Sequence, residues 1–485
     1  MGSGLHVNIH HSLPTAHGME QIKTAINESK AARWTALFLI AFTMLAAYFF
    51  VDMLAPLQQL LEVNYRWNPQ VYGTFSGSEY YLNMLGFLLI SGILLDKLGI
   101  RFTGMLSTVL MLLGGVIKLY ALTDHFNSGG FGFEFFNSFM KWMPASAKVA
   151  SIGYAIFGIG VEMCGITVSK TIVKWFKGKE LALAMGMEMA TARMGASAAF
   201  FFSAMIAGNE PSRTVVVGCA LLFIGMLTFL TYVIGFDRKF DKETDAAGTD
   251  NAEEEFKLRD LGKIVTNKAF WYISMLCVLF YSAVFPFLKY AVNMMQNKLD
   301  IGAGTGGLIS GLLPIGTILL TPIIGNYIDK KGKAASTMML GAALLVISHL
   351  IFAIGPPFMP LYIFAILLLG VAFSLVPASL WPSVPKVVED RYLGSAYAVV
   401  FLIQNWGLGL IPALIGVILA GANPGVAEAL AAGDLTARYD YTIPMLVFSL
   451  LGVLALVFGY LLKVEDKKKG YGLEAPNLQK IESSK

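Results

Sequence analysis

Charge is scarce in this chain. Only 14% of its 485 residues are Asp, Glu, Lys or Arg, while 56% are hydrophobic. Soluble domains carry about 25% charged residues, so this balance, with a mean hydropathy of +0.64, excludes an ordinary soluble enzyme. Cysteine is scarcer still: Cys164, Cys219 and Cys277 all sit in apolar runs, without metal-like spacing, and read as small core residues. No nucleotide-binding P-loop, no H-E-x-x-H helix and no cluster of metal ligands appears, so neither an ATP-driven pump nor a membrane metalloprotease is supported, and no cofactor is expected. The first 30 residues are polar and precede the first apolar run, so no cleavable signal peptide is expected. A net charge of +4 is too small to imply a nucleic-acid partner and is better judged loop by loop.

What the chain has in abundance is apolar runs long enough to cross a bilayer. Twelve are read, the first starting at Trp34 and the last ending at Leu462. The expected organisation is an N-terminal tail (1–33), a first six-helix bundle (34–235), a charged linker (236–268), a second bundle (269–463) and a C-terminal tail (464–485). The fold class is therefore all-α, with twelve transmembrane helices in two pseudo-symmetric bundles. Basic residues cluster in connections on one side: Lys97 and Arg101, Lys174 with Lys177 and Lys179, and Lys330 with Lys331 and Lys333. The positive-inside rule then places both termini in the cytoplasm. Within the linker, Ala252–Lys268 reads either as a surface helix or as a solvated tether, and the aromatic cluster from Phe131 to Trp142 as an interfacial segment or a plain loop.

One stretch, Gly158 to Gly195, stands out. Its two apolar segments flank Trp175-Phe176-Lys177-Gly178-Lys179-Glu180; the first contains Glu162 and the second Arg193. At ~1.5 Å rise per residue, both charges lie roughly 18–20 Å from the hairpin, at one depth just past mid-membrane. Each falls on a stripe of small residues, Gly158, Gly165 and Ser169 on one segment and Gly186, Ala190 and Ser197 on the other. Such stripes face protein or a wet cavity rather than lipid. Two readings stay open: a permanent ion pair joining the segments, or a substrate site in which Arg193 takes a carboxylate and Glu162 steadies Arg193 or receives an amine.

An internal repeat supports two halves. Gly92 through Asp96, Lys97 and Arg101 is echoed by Gly325 through Asp329, Lys330 and Lys333, and the run ending at Arg193-Met194-Gly195 by one ending at Asn405-Trp406-Gly407. With its twelve spans and the G-x-x-x-D-[KR]-x-G-x-[KR] turn, the chain resembles the major facilitator superfamily. That resemblance implies alternating access, two bundles rocking about a mid-membrane site. It also implies a gate at the turn, where Gly92 allows close helix approach, Asp96 pairs with a facing helix end, and Lys97, Arg101, Asp329 and Lys330 take part. A narrower similarity, carried by Gly160-Val161-Glu162, Trp175 through Ala182 and Ala192 through Gly195, is to the lysosomal dipeptide carriers of that superfamily. It implies that Glu162 and Arg193 help hold the termini of a short peptide. The Trp-Phe hairpin also resembles organic-anion and nitrate carriers.

Further charges lie inside the runs. Asp52, Glu79 and Lys289 fall in the outer half, where Lys289 is expected either to bridge to a carboxylate at an outer gate or to join it in binding peptide ends. Glu188 is expected to pair with a gate cation, Lys118 and Lys170 to snorkel, and His349 to be a hydrogen-bonded structural residue. Tyr281, Trp381, Gln404 and Asn405 are expected to wall the site opposite Arg193. The expected function is secondary transport of small peptides, dipeptides first, by uniport or with protons, by a monomer in lipid, in a bacterial-type inner membrane. The alternatives are an organic-anion or nitrate carrier using Arg193 alone, and a solute sensor that does not transport.

Overall fold

The computed structural model describes residues 28–240, 261–389 and 392–476. The expectations for the 1–27 tail and for most of the 236–268 linker lie outside the described residues. Among the described residues, eleven helices are long and apolar enough to cross a membrane. The chain order of the principal helices is α1 (Lys30–Asp52), α2 (Pro69–Met84), α3 (Phe87–Ala121), α4 (Ala145–Phe176), α5 (Leu181–Ala207) and α6 (Pro211–Tyr232) in the first half. The second half holds α7 (Lys268–Leu299), α8 (Leu312–Lys331), α9 (Ala334–Ile354), α10 (Met359–Leu380), α11 (Leu393–Ala422) and α12 (Thr442–Lys469).

The twelfth crossing comes from α2 together with the first turns of α3. Asn68 caps α2 through its side chain on the Val71 amide, and Pro69 occupies the first turn, where a missing N–H costs nothing. After a break at Leu85-Gly86 the helix resumes, then turns back at Gly99, whose φ of 75° a side-chain-bearing residue rarely adopts. Crossings two and three therefore run through one nominal helix, hinged at the glycine of the duplicated turn. Crossing one is broken as well: α1 ends at Asp52, and a short turn containing Pro56 leads into Gln58–Tyr65. Pro286 sits within the unbroken α7, while Pro314 follows the Gly311 break between Ala303–Ser310 and α8.

Small residues set how closely the helices approach. A Cβ on Gly158 would fall 1.7 Å from the Glu79 carbonyl, so only glycine lets α4 close on α2 at the level of Glu79. The two halves meet along α2 and α11, along α5 and α8, and where α7 packs on the Ala55–Leu57 turn that follows α1. The three cysteines are free and buried in the core. Past the expected end of crossing twelve, α12 continues to Lys469, and the following residues dock on the start of α9 through Glu474, which accepts from the Ser336 amide at 2.8 Å and from its hydroxyl at 2.8 Å. The aromatic connection between crossings three and four contains a short helix, Phe133–Ser138, with Phe131 and Phe135 exposed.

Candidate functional site

The two ends of the molecule differ. At the end away from the termini the halves are stitched together: Tyr439 donates to Glu62 at 2.5 Å, Gln296 to Gln59 at 2.9 Å, and the Tyr72 hydroxyl to the Lys289 carbonyl at 2.9 Å. Among the described residues, ion pairs near the termini run within each half: Arg33 to Glu180 (3.1 Å), Lys170 to Asp96 (3.1 Å) and Arg101 to Asp237 (2.6 Å) in the first, Lys463 to Glu474 (4.0 Å) in the second. Between the halves lies a cavity of about 260 Å³, walled by α1, α2, α4 and α5 on one side and by α7, α8, α11 and the turn Trp381–Ser383 after α10 on the other. Met189, on its wall, is 62% exposed, so the cavity opens along α5 toward the end that carries the termini.

Seven expected residues line this cavity: Asp52, Glu162, Arg193, Tyr281, Lys289, Trp381 and Gln404. Glu79 does so too. Glu162 and Arg193 share the void, yet no ion pair of 4.0 Å or less links Glu162 to any cation among the described residues. The permanent-pair reading is therefore not what the structure contains. Arg193 instead lays its guanidinium over two rings of the opposite half, 4.8 Å from the Phe373 centroid and 5.7 Å from that of Phe285. Neither contact spends an N–H donor, and among the described residues Arg193 makes no ion pair.

Lys289 has the opposite character. Its Nζ lies 2.9 Å from Asp52 Oδ1, 2.9 Å from the Val51 carbonyl, 3.4 Å from the Tyr154 hydroxyl and 3.8 Å from Glu79 Oε2. The break after Asp52 leaves the Val51 carbonyl available as an acceptor. Tyr154 completes the cluster, its hydroxyl 2.7 Å from both Glu79 Oε2 and the Val51 carbonyl. Trp381 donates its Nε1 to the Tyr281 hydroxyl at 2.9 Å, which holds both rings against the cavity.

Other expected residues are placed elsewhere. Asn405 is buried away from the cavity and donates to the Phe401 carbonyl at 3.0 Å; its neighbour Gln404 takes the wall position, because one residue turns a helix by about 100°. Glu188 is buried within the first half and pairs with no gate cation among the described residues; Arg193 is the cation whose charge reaches it. Lys118 does not snorkel. Its ammonium is enclosed by the rings of Tyr154 (4.0 Å), Phe50 (4.5 Å) and Phe75 (5.1 Å), which belong to three different helices. His349 is buried, 2.9 Å from the Ala283 carbonyl through Nε2. At the duplicated turn, a Cβ on Gly92 would meet nothing, so the close approach expected there is not made in this conformation. Asp96 pairs with α4 of its own half, Lys97 and Lys330 are exposed, and Asp329 lies within electrostatic reach of Lys386. Sequence reasoning missed Tyr154, Phe285 and Phe373, whose aromatic character inside apolar runs carries no signal of its own.

Comparisons with known proteins agree with this architecture. The family model for the Major Facilitator Superfamily matches residues 37–412 and 290–480. The lysosomal dipeptide transporter MFSD1 of Mus musculus is 28% identical over 427 residues, covering 83% of this chain and 84% of that protein. The Homo sapiens protein of the same name is 27% identical over 410 residues, covering 80% of each. Among solved structures, a bacterial homolog of the human lysosomal transporter Spinster, in an inward-facing and occupied conformation, superposes with a TM-score of 0.66 at 13% identity, over 91% of this chain and 98% of that one. The nucleoside transporter NupG gives a TM-score of 0.65 at 12% identity, over 89% and 99%. Twelve crossings in two halves around a shared cavity, together with a family match over most of the sequence, place this chain in the Major Facilitator Superfamily.

Proposed function

We propose that this transporter carries short peptides, dipeptides first, across a membrane by alternating access. The observation that carries the reading is that Glu162 and Arg193 face one inter-half cavity and neither spends its charge on the other. An ionised group at mid-bilayer costs roughly 2.5–3.5 kcal/mol on insertion scales, and two such groups left unpaired call for a ligand bearing both signs. A zwitterionic peptide does: its carboxylate suits the guanidinium edge of Arg193 and its amine suits Glu162. A fully extended dipeptide spans about 7 Å, a length a cavity of about 260 Å³ accommodates. The relatives named dipeptide transporters, 27–28% identical, point the same way.

In this reading Lys289, Asp52 and Glu79 form the latch of the closed end, and Gly92, Asp96, Lys97, Arg101, Asp329 and Lys330 come together only when the other end shuts. Glu162 is the carboxylate that would carry a proton if transport is proton-coupled; uniport requires nothing more of it. The basic connections favour cytoplasmic termini, and this reading takes a bacterial-type inner membrane as the site and a monomer as the working unit.

The test is thermal-shift binding of alanyl-alanine, its N-acetyl and its C-amide forms to the purified protein, followed by counterflow in proteoliposomes. The free dipeptide should stabilise the protein, and each capped form should bind at least about tenfold more weakly. Glu162→Gln should erase the discrimination against the N-acetyl form alone. Stabilisation only by monocarboxylates lacking an amine would replace this reading with the anion carrier, and binding without exchange would replace it with the sensor.

A further inference from the structure

Arg193 stands at a waist between two chambers. The cavity described above meets a second one of about 350 Å³, and the two share Met189, Arg193, Tyr281 and Trp381. Their linings differ in kind. The first carries Asp52, Glu79, Glu162 and Lys289 besides Arg193. The second has no ionisable side chain but Arg193 and Tyr281, and is lined by Ile318, Thr321, Phe373, Pro377 and Ala378 from α8 and α10, while along α5 it opens toward the end that carries the termini.

We propose that this second chamber receives the side chain of the peptide's carboxyl-terminal residue, and that the transporter selects an uncharged, apolar residue at that position. The inference rests on the dipeptide reading and adds the order of the residues to it. In any peptide the carboxyl-terminal side chain branches from the carbon bonded directly to the carboxylate. The other side chain starts about 3.8 Å farther along, one Cα away. A carboxylate held on Arg193 therefore leaves only the carboxyl-terminal side chain beside the waist. The amine and the amino-terminal side chain extend into the chamber that holds Glu162.

The chemistry of the two linings then sorts the residues. An apolar side chain in the second chamber gains the burial that Ile318, Phe373 and Pro377 offer. A lysine there would meet no carboxylate and would lie beside the Arg193 cation, an arrangement that selects against it. At the amino-terminal position the same lysine would lie away from Arg193, in the chamber that holds Glu162. Selectivity thus depends on sequence order within one composition.

Order-reversed isomers test this without confounding composition. Alanyl-phenylalanine should bind the purified protein at least about tenfold more tightly than phenylalanyl-alanine, and lysyl-alanine more tightly than alanyl-lysine by a similar factor. Filling the chamber with Ala378→Phe should cut the preference for alanyl-phenylalanine over alanyl-alanine from about tenfold to under about threefold. Thr321→Leu, a smaller intrusion from the other helix, should cut it in the same direction. If dipeptides bind but reversed isomers bind alike, the chamber is only the passage along α5 and the inference falls while the dipeptide reading stands. If no dipeptide binds, both fall.

Discussion

Two sets of charges face the same cavity and are treated in opposite ways. Lys289 is saturated: it reaches Asp52 and the Val51 carbonyl, each at 2.9 Å, with Tyr154 and Glu79 close behind, and in doing so ties α7 of the second half to α1 of the first. Arg193 and Glu162, both in the first half, are unsaturated. One meets aromatic faces and the other has no hydrogen-bonding partner among the described residues. A saturated buried charge has its interaction energy already committed to one conformation. An unsaturated one keeps that energy for a ligand. In the proposed reading, one cavity thus holds both a latch and a receptor.

The contrast breaks most visibly at the latch. Lys289→Met leaves Asp52 and Glu79 buried without their cation, and removing one partner of a buried pair costs about 3–5 kcal/mol. The melting temperature in detergent should fall accordingly, and adding Asp52→Asn and Glu79→Gln should recover most of the loss. An unchanged melting temperature for the single variant would show that the two sets do not differ. Next in size, Arg193→Lys should reduce dipeptide counterflow by roughly 10- to 100-fold, because an ammonium cannot reproduce a two-point hold on a carboxylate. Its melting temperature should stay that of the unmodified protein, since Arg193 makes no ion pair to lose.

Glu162→Gln sharpens the comparison further. Dipeptide affinity should drop about tenfold, while the unliganded protein should melt at the same temperature or higher, because a buried charge without a partner contributes no stability. A large fall in melting temperature would move Glu162 into the structural set. The smallest expected effect is at the sealed end: Tyr439→Phe removes one hydrogen bond to Glu62 and should cost about 1 kcal/mol, read as a modest loss of thermal stability.

Legibility in the sequence varied with the kind of inference. Depth was readable, because a helix rises by a constant amount per residue; that is why Glu162 and Arg193 could be placed on one level from their distances to the Trp175–Glu180 hairpin. The grouping of Asp52, Glu79 and Lys289 was readable for the same reason. Azimuth was not. The internal echo aligned Asn405 with Arg193, but a one-residue drift rotates a side chain by about 100°, and Gln404 reached the cavity instead. Lys118, close to a helix end, looked free to reach water, whereas Phe50, Phe75 and Tyr154 converge on it from helices distant in sequence. Glu188 likewise depended on which neighbour its face met.

The sequence by itself determined the crossings, the duplicated halves and the level at which charge enters the membrane, since these follow from hydropathy, repeat and helical rise along one chain. Only the tertiary structure decided which of those charges are paired. Pairing depends on the rotation of each helix and on the gap left between the halves, and both are set by packing among residues hundreds of positions apart, such as Lys289 against Asp52.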